Sequence, residues 1–120
     1  MSVPDSPDQP AGADPPIAAM PPSSLLGEAV SSQVRQNRDR ARQLELYAEM
    51  ERRCRTDHDA RKAAGLTRFN PTPAREAAVE MGTALGISEY HVLNDLRLRE
   101  RLVDWFPAMW RRCCDGRLDL

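Results

Sequence analysis

The sequence predicts an all-α protein. Three observations carry that expectation. No stretch alternates apolar and polar residues as a half-buried strand does. Apolar residues instead recur three and four positions apart, and Ser, Thr, Pro and Gly fall where helices start and stop. The expected architecture is a disordered Pro-rich leader, one long helix, a helix-turn-helix-like corner and short C-terminal helices.

Residues 1–22 hold seven of the ten prolines and no Lys or Arg. Such a segment cannot bury enough apolar surface to offset its ordering entropy, so it reads as a disordered leader. It lacks the basic start and apolar run of a signal peptide. No apolar run in the chain approaches the roughly 20 residues of a membrane span. Residues 23–120 are expected to form one helical domain.

Ser23 or Ser24 suits the N-cap of the long helix. Along it, Val30, Val34, Asn37, Ala41, Leu44 and Ala48 recur at spacings of 4, 3, 4, 3 and 4, an apolar stripe with one polar residue in its seam. The stripe is thin, because alanine buries little. At about 25 cal/mol per Å² of apolar area it cannot hold a dimer alone. Packing within the domain is the expectation, and self-association through Val30, Val34, Ala41 and Leu44 is the alternative.

Gly65 and the cluster Asn70-Pro71-Thr72-Pro73 end that helix. Thr72 suits an N-cap with Pro73 at the first helical position, which opens a helix from about Ala74 to Leu85. Gly86 closes it in the left-handed conformation, and Ser88 caps a third helix running to about Trp105, before Pro107. Glu89 stands in its first turn. A short helix, Ala108 to Cys114, is ended by Gly116. Asp119 resembles the cap of a fifth helix, so the domain is expected to be truncated at its C-terminus.

The stretch Glu80–Leu102 has the pattern of a helix-turn-helix corner. Met81, Leu85, Ile87, Val92 and Leu96 are expected to lock the two helices. Gly82, one turn before Gly86, would let the second helix approach closely. Further on, Leu98, Leu102, Trp105, Phe106, Met109 and Trp110 read as an aromatic core cluster around a helix–Pro–helix bend, partly exposed if the domain is truncated.

The formal net charge of −1 hides an asymmetry. From Arg35 onward stand all 17 basic residues, 16 of them Arg, against 14 acids, a net charge of +3. That is mildly basic, short of the strong footprint of many DNA-binding domains, and a GC-rich genome would raise Arg, Ala and Pro together. The outward row of the third helix would be Tyr90, Asn94, Arg97 and Arg101, at i, i+4, i+7 and i+11. Asn pairs with adenine, Arg with guanine or phosphate, and Tyr with phosphate or sugar, so these four are the candidate contacts to double-stranded DNA. Glu89 and Asp95 on the flanks, and a dense set of acids elsewhere, count against that reading. The plain alternative is a solvated polar face.

Cys54, Cys113 and Cys114 form no disulfide framework, and reduced thiols in a cytoplasm are the natural expectation. Cys54 and His58 lie one helical turn apart, but His91 and the vicinal pair Cys113–Cys114 do not complete a zinc set. Nothing orients Cys54 and His58 as a nucleophilic pair. No cofactor motif is present.

The segment Arg75–Leu120 resembles an actinobacterial helical family of unknown function, number two hundred and twenty-two in its series, whose members include the mycobacterial thirteen-E-twelve repeat proteins. The elements that carry the resemblance are an Ala- and Glu-rich helix (Ala77 to Leu85), Leu85-Gly86-Ile87-Ser88, Arg101-Leu102, Pro107, and Gly116-Arg117-Leu118-Asp119, in that order. The resemblance implies an all-α domain that usually precedes an HNH endonuclease module. No nuclease residue carries over to this sequence. The expected function is therefore that of an N-terminal helical, DNA-positioning part of an HNH-endonuclease-type protein, without nuclease activity of its own. A free-standing helix-turn-helix DNA binder and a self-associating helical module are the alternatives.

Overall fold

The computed structural model describes residues 16–66 and 71–120. These form a short 3-10 turn, Ile17–Ala19, and four α-helices: α1 (Pro22–Ala63), α2 (Pro73–Leu85), α3 (Glu89–Trp105) and α4 (Pro107–Cys114). Among the described residues there is no strand. Residues 1–15 of the expected disordered leader lie outside the described residues, as does Asn70 of the Pro-rich break. Residues 16–22 depart from the leader expectation, because they hold the 3-10 turn and the start of α1.

The chain divides into two compact units, Met1–Ser32 and Gln33–Leu120. In the first, no described residue is buried, and Leu26 and Val30 are 71% and 64% exposed. Here α1 begins at Pro22, ahead of the expected Ser23 or Ser24 cap. The Pro21 carbonyl accepts from the Leu25 amide at 3.0 Å, and Pro22 sits where a missing N–H costs nothing.

In the second unit the remainder of α1 is a spine. Ala41 and Leu44 pack with Leu102, Trp110 and Cys113 in one buried cluster, and Tyr47 packs with Ala78, Val92 and Leu96 in another. Ala41 and Leu44 are 1% and 0% exposed, so they are consumed within the chain and cannot meet a second copy. That corrects the self-association set Val30, Val34, Ala41 and Leu44 at two of its four positions. Asn37, the polar residue in the seam, is 5% exposed; its amide donates to the Gly116 carbonyl at 2.9 Å, and its side-chain oxygen accepts from Gln33 at 2.7 Å. A buried amide so satisfied costs little and fixes register.

Polar ties cross from the spine at three points along it. Arg40 meets Asp95 at 2.8 Å, Glu45 accepts from Arg99 at 2.9 Å and from the Trp110 indole at 3.1 Å, and Arg61 reaches Glu76 at 3.2 Å. Each ties α1 to a different stretch of the following helices, so helical phase along α1 sets where α2, α3 and α4 lie.

Gly116 is confined by the same spine. Its φ is +82°, and a Cβ built there would stand 2.5 Å from the Val34 carbonyl oxygen. Residues 117–120, with Asp119 among them, are not helical.

Candidate nucleic-acid interface

The corner between α2 and α3 is built by its caps. The Thr72 hydroxyl accepts from the Arg75 amide at 3.3 Å and opens α2 with Pro73 in its first turn. Gly86, at φ +70°, closes it, with the Ile87 amide on the Gly82 carbonyl at 3.0 Å. Ser88 then accepts from the His91 amide at 3.1 Å and opens α3. At Gly82 a Cβ would lie 2.8 Å from the Ile87 carbonyl oxygen, which is why the position needs glycine.

The apolar lock differs from expectation. Val92 and Leu96 are buried and Met81 is half-buried, but Leu85 and Ile87 are 46% and 37% exposed. Their places are taken by Ala77 and Ala78, both fully buried, with Tyr47 of α1 across from Ala78. Small residues let the helices approach closely, and the large ones beside the turn stay outside.

The row Tyr90, Asn94, Arg97 and Arg101 lies on the outer face of α3. All four are exposed, Tyr90 by 66%, opposite the buried Val92, Asp95, Leu96 and Leu102. None of the four side chains has a hydrogen bond or ion pair among the described residues. Arg99, between Arg97 and Arg101 in sequence, turns inward, paired with Glu45 and lying over the Trp110 ring at 5.7 Å. The inward turn of Arg99 was readable from the sequence: Val92, Leu96, Arg99 and Val103 share the core phase.

Two of the acids that count against an anion-binding face are engaged. Asp95 is 7% exposed and bound to Arg40, and Glu89 faces Arg75 at 3.3 Å. Asp104 is exposed on the flank of the row.

The cysteines offer no activated nucleophile. Burial, then the charges of Glu76, Glu80 and Asp57, push the Cys54 thiol above its ordinary range, against the pull of Arg61. Burial does the same at Cys113 and Cys114. A cleft of about 440 Å³ between α1 and α3 is lined by Glu45, Glu49, Glu51, Arg52, Arg55 and Arg99, among others, and these six pair with one another.

The expected aromatic core cluster is also corrected. Leu102 and Trp110 are buried, whereas Trp105, Phe106 and Met109 are 71%, 52% and 45% exposed. Trp105 stands one turn beyond Arg101 on the outer face of α3. Pro107 then restarts the helix, and the new phase turns Trp110 inward.

Fold and surface together define an all-α chain with a helix-turn-helix-like corner and a third helix whose exposed face carries Arg97 and Arg101 beside Glu100 and Asp104. No known protein family, curated protein or solved structure matches it. No helix among the described residues is long and apolar enough to cross a membrane.

Proposed function

We propose that this chain is a DNA-positioning helical module in which α3 lays Tyr90, Asn94, Arg97 and Arg101 against a DNA duplex. One observation carries the reading: Arg97 and Arg101 project from the outer face of α3 with no ion pair among the described residues, while Arg40, Arg61, Arg75 and Arg99 are each held by a carboxylate. An arginine already held by a carboxylate has little to give a phosphate, whereas an unpaired exposed one supplies a bidentate donor and releases counterions on binding. Asp95 and Glu89 are each held by an arginine, which leaves Glu100 and Asp104 as the exposed acids beside the row.

The test is residue-resolved. The full chain, labelled with ¹⁵N, is titrated with a short blunt duplex at low salt. The reading expects amide shifts concentrated between Tyr90 and Arg101. Shifts that are absent, or that fall on α1 alone, refute it.

A further inference from the structure

Beyond the arginine row, α3 ends in exposed aromatics. Trp105 lies at i+4 from Arg101 and i+11 from Asn94, so it continues the row toward the C-terminal end of the helix. It is 71% exposed, and the adjoining Phe106 is 52% exposed. The two open a groove of about 560 Å³ that is also lined by Met109, Leu118, Arg111 and Arg112. Neither Arg111 nor Arg112 has an ion pair among the described residues. A large apolar side chain left in water is unfavourable by a few kcal/mol relative to burial, and here it is flanked by unpaired cations on both sides.

A partner protein that covers such a groove would need acids to meet Arg111 and Arg112, which line it, and Arg101 beside it. An unpaired stretch of nucleic acid meets both demands at once, since its bases have π-faces for Trp and Phe and its backbone has a phosphate per residue. We infer that Trp105 and Phe106 form a stacking platform for unpaired bases, with Arg101, Arg111 and Arg112 on the backbone, so that the module prefers a duplex end carrying a single-stranded overhang. The inference rests on the proposed docking of α3 on DNA and adds which form of DNA it takes. Asp104, exposed beside Trp105, and Glu100, exposed beside Arg101, are opposing charges on this surface.

The experiment compares three labelled probes with the full chain: a blunt duplex, the same duplex with a short oligothymidine overhang, and that overhang with abasic sites. The overhang is expected to tighten binding about tenfold, and the abasic version to lose that gain. Trp105→Ala should abolish the overhang preference, so that this variant binds the overhang probe no more tightly than it binds the blunt duplex. Because Trp105 is exposed, this variant should keep its helical circular dichroism. Asp104→Asn should tighten overhang binding about twofold to threefold. Equal affinity for blunt and overhang probes overturns the stacking platform while leaving duplex docking intact. Overhang binding with no blunt-duplex binding keeps the platform and overturns duplex docking. Binding to none of the probes, or self-association lost in Trp105→Ala, overturns the platform in favour of a protein partner.

Discussion

Arg40 on the long helix and Asp95 on the third helix meet at 2.8 Å, with the Asp95 side chain 10% and the Arg40 side chain 30% exposed. The pair anchors α3 against α1, and it settles which face of α3 looks outward. Removing one partner strands the other. Asp95→Ala is expected to destabilise the fold by about 2 kcal/mol, the loss of a largely buried, charge-assisted hydrogen bond. Replacing Arg40 by Met and Asp95 by Leu together should cost less than the sum of the two single changes. Urea unfolding of the four proteins measures the coupling, and strict additivity would show that the pair contributes nothing.

Tyr47 is 1% exposed, and its hydroxyl, close to Arg40 and Asp95, meets neither in good hydrogen-bond geometry. Tyr47→Phe is therefore expected to be neutral or to stabilise by about 1 kcal/mol, because it removes a buried polar atom that gains nothing. Tyr47→Ala should cost about 3 kcal/mol or more through the cavity it leaves. A large loss in Tyr47→Phe would mean that the hydroxyl is satisfied after all.

Gly116 and Gly65 both have positive φ, +82° and +76°, but only Gly116 faces backbone at close range. Alanine at Gly65 is expected to cost about 1 kcal/mol, from backbone conformation alone. Alanine at Gly116 should cost clearly more, since the Val34 carbonyl must also move. Thermal melts of the two variants give the order, and a reversed order would contradict the placement of Gly116 against α1.

Burial first, with nearby carboxylates at Cys54 and Cys114, raises the three thiols above their ordinary range, and burial raises the Tyr47 phenol as well. A folded-state pKa above the unfolded value means that the unfolded chain gives up its proton first as pH rises. Stability is then fully present below the ordinary thiol value of roughly 8.5 and falls as pH climbs through the raised folded values. Urea midpoints taken across the alkaline range check the sign. A midpoint that rises there would contradict it.

The helices were legible in the sequence because their ends are written in local chemistry. Thr72-Pro73, Gly86-Ser88 and Pro107 act within one turn, and the structure follows them to within a residue. The stripe on α1 was legible too, down to the role of Asn37 as its one polar member. Facing partners were harder to read. Trp105, Phe106 and Met109 read as core because they are large and apolar, yet packing selected Ala77 and Ala78, which allow close approach. Arg40 with Asp95 and Glu45 with Arg99 join residues 55 and 54 positions apart, and no periodicity within one helix encodes such a pairing. The outward row from Tyr90 to Arg101 was legible from phase alone, but the neutralisation of Asp95 beside it was not.

The most direct measurement of the central claim is the salt dependence of duplex binding by the full chain and by the Arg97→Ala/Arg101→Ala double variant. The unaltered chain is expected to lose affinity linearly in log–log form, with a slope near −0.9 per phosphate contacted. The double variant should bind more weakly and with a slope shallower by about 2. If the two proteins give the same slope, or if the unaltered chain does not bind duplex at low salt, the outer face of α3 is a solvated surface and the proposed role is wrong.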